Sequence, residues 1–166
     1  MQPQRAAMGF PDLGALGLVL PAALNDLNPA DQTVIPARVD ANRHYLLFVP
    51  RTDADGHDIA GIRVPDIDAP LATHTGFELR KASFAEGQLC GLNGSYLPLA
   101  KDVQERGAKR DPRLSIAERY ATRTAYVQQV RTSAERLKTD GLMLEEDVAR
   151  VLDTAAKEPR VQALPQ

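Results

Sequence analysis

The sequence predicts an α+β fold with much irregular chain, in which a short β-hairpin precedes a C-terminal antiparallel helical hairpin. Two short apolar runs, residues 45–49 and 59–64, flank a stretch of turn formers. From Ser115 onward, apolar residues recur at helical spacing. Most of the twelve prolines fall within the first hundred positions, where they interrupt regular structure. At 166 residues the chain suits a single domain, or part of one, with a buried core.

Residues 1–41 are punctuated by Pro11, Pro21, Pro29 and Pro36. They read as extended segments and turns, with one short helix over residues 21–27 that begins on Pro21. The apolar stretch 13–24 follows Arg5 and ends near Ala22 and Ala23, which invites comparison with a signal peptide. Asp12 and Pro21 border it, and Gly14 and Gly17 loosen it, so it reads as part of the domain and the chain is placed by default in the cytoplasm. The stretch is too short to span a membrane.

Residues 42–101 hold the predicted hairpin. The run Tyr45 to Val49 is ended by Pro50, and Ile59 to Val64 supplies the second strand. Thr52, Asp53, Asp55, Gly56 and Asp58 between them favour a turn. The remainder, broken by Pro65, Pro70, Gly76, Gly91, Gly94 and Pro98, has no sustained period and is expected to wrap other structure as irregular chain.

Residues 102–166 are expected to form the helical hairpin. Ser115 and Glu118 have the spacing of a capping box. Behind them Tyr120, Val127, Val130, Ala134 and Leu137 recur at intervals of 7, 3, 4 and 3, one face of a helix. Asp140-Gly141 stops that helix. A second, from about Leu144 to Lys157, turns Leu144, Val148, Val151, Leu152 and Ala155 inward and ends before Pro159.

A formal charge of −2 gives no basic stripe for nucleic acid and no polybasic membrane patch. The single Cys90 cannot form an internal disulfide or a multi-cysteine metal site, and it reads as a small hydrophobe. No G-x-S-x-G nucleophile elbow occurs; Gly94-Ser95-Tyr96 lacks the second glycine, and Ser95 reads as a turn hydroxyl. His44, His57 and His74 form no H-x-x-H or H-E-x-x-H pair. His57, beside Asp55 and Asp58, is the best general base on paper, against a solvated turn histidine as the plainer reading. The Asp53 to Asp58 stretch fails the EF-hand pattern, with Asp58 at the sixth position and Val64 at the twelfth. The residues therefore assign no catalytic, cofactor-binding or metal-ligating role.

Four segments carry a resemblance: Gly61 to Thr73 (GIRVPDIDAPLAT), Leu89 to Leu99 (LCGLNGSYLPL), Glu118-Arg119-Tyr120 with Tyr126-Val127, and Leu142 to Val148 (LMLEEDV). In that order and spacing, residues 42–156 resemble the C-terminal part of large bacterial alpha/beta hydrolase domain-containing proteins. The resemblance implies the C-terminal part of an α/β-hydrolase fold and a family acting on esters or related acyl compounds. It also implies that the serine elbow and catalytic histidine lie upstream of this region, so no catalytic residue carries over. The position of His74 usually holds another residue type in similar sequences. The partners implied are an upstream hydrolase subunit or a second copy of the chain. The alternative expectation is a non-catalytic interaction or oligomerisation module.

Overall fold

The computed structural model describes residues 9–20, 28–43, 45, 50–81, 83–86 and 88–166. Among them the chain is α+β, with five α-helices and two two-stranded antiparallel sheets. The helices are α1 (Pro65–Asp68), α2 (Val103–Lys109), α3 (Ile116–Arg119), α4 (Arg123–Thr139) and α5 (Glu145–Lys157). Single 3-10 turns occupy Gly14–Leu16 and Pro159–Val161. The strands are β1 (Ala30–Asp31), β2 (Arg38–Val39), β3 (Ala72–His74) and β4 (Tyr96–Pro98).

The predicted hairpin is corrected. Ile59 to Val64 is not a strand; it leaves the turn as bends and reaches α1. The turn itself forms, closed by an isolated antiparallel bridge between Thr52 and Asp58. Arg63, inside the expected strand, explains the difference. Its guanidinium reaches back to Asp53 and forward to Asp68, both at 3.0 Å, which curls the segment. Of the other expected strand, residues 46–49 lie outside the described residues, as does the expected helix over 21–27.

The ladder that does form pairs β3 with β4 in the register Ala72↔Pro98, Thr73↔Leu97 and His74↔Tyr96. Pro98 has no N–H and sits at the ladder's end, where that loss is tolerated. This ladder lies between two apolar clusters. Phe10, Leu13, Leu18 and Leu20 pack with Phe77, Leu79 and Leu97 on one side. Ala69, Leu99, Ile116, Tyr120, Tyr126, Val130, Ala155 and Val161 form the other.

The helical region departs from expectation in several respects. Ser115 and Glu118 do form a capping box, but it caps only α3; the chain then breaks at Tyr120 and restarts behind Thr122, whose hydroxyl accepts from the Ala125 N–H at 3.0 Å. Packing explains the break. On one continuous helix Tyr120 and Tyr126 would point about 120° apart. After the break both are buried, with ring centroids 5.1 Å apart, edge to face. Gly141, at φ +73°, follows the end of α4. Lys138 near that end pairs with Glu145 at the start of α5, and the Arg123 N–H donates to the Pro165 carbonyl, so α4 and α5 run back alongside each other. Leu144, expected inward, is 62% exposed, because it is the cap residue before the first turn of α5 and off its buried face.

Polar struts join these layers. The Asp68 carboxylate on α1 accepts from Ser133 and Arg136 on α4, each at 2.8 Å, and from Arg63. Burial alone would raise its pKa; the bonds from Ser133, Arg63 and Arg136 outweigh this and hold it below the ordinary value. Arg113 and Asp111, both buried, form a two-bond ion pair with distances of 2.8 and 2.7 Å. The same guanidinium donates to the Thr73 hydroxyl at 2.7 Å and to the carbonyls of Leu97 and Pro98 at 2.9 and 3.1 Å. One side chain thus fastens the 111–113 loop to both strands of the β3–β4 ladder.

Candidate functional site

The turn over residues 52–58 is built from its side chains inward. The Asp53 carboxylate accepts the N–H groups of Asp55 and His57, both at 3.0 Å, in an Asx-type turn. The Asp53 N–H donates to the His57 carbonyl at 2.8 Å. Gly56 completes it at φ +85°, where a Cβ would come within 2.9 Å of the Phe10 ring. Only glycine meets both demands.

This geometry drives His57 inward. It is 1% exposed, which corrects the plainer expectation of a solvated turn histidine. Its Nε2 accepts the backbone N–H of His74 on β3 at 3.1 Å, so the neutral ring carries its hydrogen on Nδ1. That atom is buried without a hydrogen-bond partner. Burial pushes the His57 pKa below its ordinary value, opposed by Asp53 and Asp55 and aided by His74 and Arg63. The His57 and His74 rings stack with centroids 6.1 Å apart, and His74 meets Tyr96 edge-on at 5.2 Å.

Oxygens of Asp53 and Asp55 and a ring nitrogen of His57 lie within 4.8 Å of one another, a grouping with the donor types of a transition-metal site. As arranged, these donors are already engaged. Asp53 pairs with Arg63 and Asp55 with Arg119, so two cations stand where a metal's charge would act. The lone pair on Nε2 is taken by the His74 amide. The cluster works as a clasp that holds the turn to β3 and α3, assisted by the Thr73 hydroxyl donating to the Asp55 carbonyl.

The clasp forms one wall of a cavity of about 600 Å³, lined also by Phe10, Ile62, Ile67, Phe77 and Leu89. Among the described residues, Ser95 makes no hydrogen bond to His57. Ser95 follows Gly94, whose Cβ position lies 2.1 Å from the Thr75 carbonyl oxygen, so no larger residue fits there. The Ser95 hydroxyl donates to the Phe77 carbonyl at 3.4 Å and its N–H to the Thr75 hydroxyl at 2.9 Å. Cys90 is half-buried. His44 lies outside the described residues. Sequence reasoning missed the buried Arg113–Asp111 pair and the Asp68 hub; the only available signal was charged residues embedded between apolar ones.

A family model described as an alpha/beta hydrolase domain matches residues 17–153, and the chain belongs to that family. No curated protein and no solved structure matches it. No helix among the described residues is long and apolar enough to cross a membrane.

Proposed function

We propose that this chain is the C-terminal portion of an alpha/beta-hydrolase-like protein acting on esters or related acyl compounds, and that it does not catalyse by itself. The observation that carries this reading is the engagement of its candidate groups. A serine hydrolase needs a nucleophile hydrogen-bonded to a base. Here the Ser95 hydroxyl is spent on the Phe77 carbonyl, and the accepting nitrogen of His57 is spent on the His74 amide. The family match supports the hydrolase class. The two small sheets and the exposed side chains of Val19, Ile62 and Leu92 support a part that covers a larger structure.

The test is active-site labelling. The purified chain, incubated with a fluorophosphonate probe and assayed on p-nitrophenyl acetate, is expected to remain unlabelled and to show no turnover beyond free imidazole. Stoichiometric serine labelling would overturn the reading. Turnover abolished by His57→Ala or Ser95→Ala would overturn it too, and would place the chemistry in this chain. The exposed apolar side chains also favour a second reading, an interaction module, for which light scattering would give twice the mass of 18.1 kDa.

A further inference from the structure

A second cleft, sharing His74 with the His57 cavity, lies between α1, the β3–β4 ladder, α4 and α5. Its volume is about 350 Å³, at the lower end of small-ligand sites, which run from roughly 300 to 1,000 Å³. Its walls carry the rings of His74, Tyr96 and Tyr126 and the carboxylates of Asp66 and Glu158. Tyr126 is only 6% exposed, and its hydroxyl has no hydrogen-bond partner among the described residues. The ring is buried while the hydroxyl oxygen keeps access to the cleft, where a ligand can reach it. Burial raises its pKa to about 12, and Glu158, Asp66 and Tyr96 add to the rise more than Arg160 offsets it.

Two arginines stand beside these carboxylates. Arg150 on the rim of the cleft is paired with Asp147 at 2.6 Å. Arg160 directs its guanidinium to the carbonyls of Leu71 and Leu99 and, at 3.4 Å, to the Tyr96 hydroxyl, pairing with neither carboxylate of the cleft. Neither Asp66 nor Glu158 makes a salt bridge among the described residues, and the Glu158 side chain accepts only the Arg160 backbone N–H, at 3.1 Å. Aromatic faces and unpaired carboxylates around an apolar floor of Leu71, Val130 and Val151 are the surroundings that recognise an ammonium group on a short apolar tail.

We propose that the cleft between α1, β3–β4, α4 and α5 binds a small primary ammonium ligand, its N–H groups donated to the Tyr126 hydroxyl oxygen and to Asp66 and Glu158. This assignment is independent of whether the chain takes part in ester hydrolysis. No bond is made or broken; the ligand is held as its cation.

The experiment titrates the full chain, labelled with ¹⁵N, with 2-phenylethylammonium and separately with 3-phenylpropionate, a probe of similar size and opposite charge. The ammonium is expected to saturate and to shift amides of residues lining the cleft, such as Tyr126, Val130, Val151 and Ala155; the carboxylate is expected to shift none of them. Asp66→Asn, at an exposed position, and Tyr126→Phe, which removes only the hydroxyl, should each weaken binding on the order of tenfold, as expected for a hydrogen bond to a charged group. Retained amide dispersion shows that each variant is folded. Equal shifts from both probes would overturn the proposal, as would wild-type affinity in both variants or shifts confined to the His57 cavity.

Discussion

Arg113 concentrates a strong single-residue dependence. Its side chain is fully buried, and every one of its guanidinium nitrogens is hydrogen-bonded, to Asp111, Thr73, Leu97 or Pro98. Removing one partner of such a pair leaves the other charge buried and uncompensated. Arg113→Ala is therefore expected to cost about 3–5 kcal/mol, read as a shift in the urea midpoint. Arg113→Lys should recover little, because an ammonium cannot reproduce the planar two-bond contact with Asp111. Asp111 also sets an acid dependence. Burial alone would raise its pKa, but the bonds from Arg113 outweigh burial and hold it below the ordinary carboxylate value. A carboxylate lowered in the folded state binds fewer protons there than in the unfolded chain. Its contribution is complete above the unfolded value and is lost as pH falls through the lowered folded value. Asp68 acts in the same direction. Stability measured by urea unfolding should hold down to about pH 4 and fall below it, with a shallower fall in Asp68→Asn. An unchanged slope in that variant would remove Asp68 from the account.

At the scale of elements, caps were legible and breaks were not. Ser115 and Glu118 announced a helix start by spacing alone, and the structure keeps both reciprocal bonds. The restart at Thr122 had no comparable signal, since Tyr120 and Val127 are seven apart and fit one helical stripe by coincidence. The two caps should differ in weight. Thr122→Ala removes an exposed cap and should cost about 1 kcal/mol. Ser115 is fully buried, and Ser115→Ala should cost about 2 kcal/mol, at the top of the range for a lost cap. Thermal unfolding followed by circular dichroism would rank them; equal costs would show that burial of Ser115 adds nothing. The β3–β4 ladder was invisible for a different reason. Ala72-Thr73-His74 and Tyr96-Leu97-Pro98 are three residues each, too short to show alternation, and their pairing bridges a long stretch of chain. The turn at residues 52–58 was read from its turn formers, yet the burial of His57 within it was not, because that burial depends on Phe10 and β3.

Across the whole molecule, residues 10–20 are part of the core. Phe10, Leu13, Leu18 and Leu20 pack onto Phe77, Leu79 and Leu97, and the Phe10 ring closes over Gly56. Phe10→Ala should therefore cost about 3–5 kcal/mol. The loss should appear in the same transition when followed by helical circular dichroism and by fluorescence of Tyr120 and Tyr126, on the opposite side of the ladder. If only a local signal moved, the two clusters would unfold as separate units. By itself the sequence determined the α+β class, the helical stretches after Ser115, the turn chemistry of residues 52–58 and the family resemblance. Periodicity, capping and turn preference act over a few neighbouring residues and are written in their order. Tertiary structure alone decided where buried charge goes, which short strands pair, how His57 is held, and that Tyr126 opens on a cleft with Asp66 and Glu158. Each of these is fixed by groups distant in sequence, whose approach depends on how the two apolar clusters close around the β3–β4 ladder.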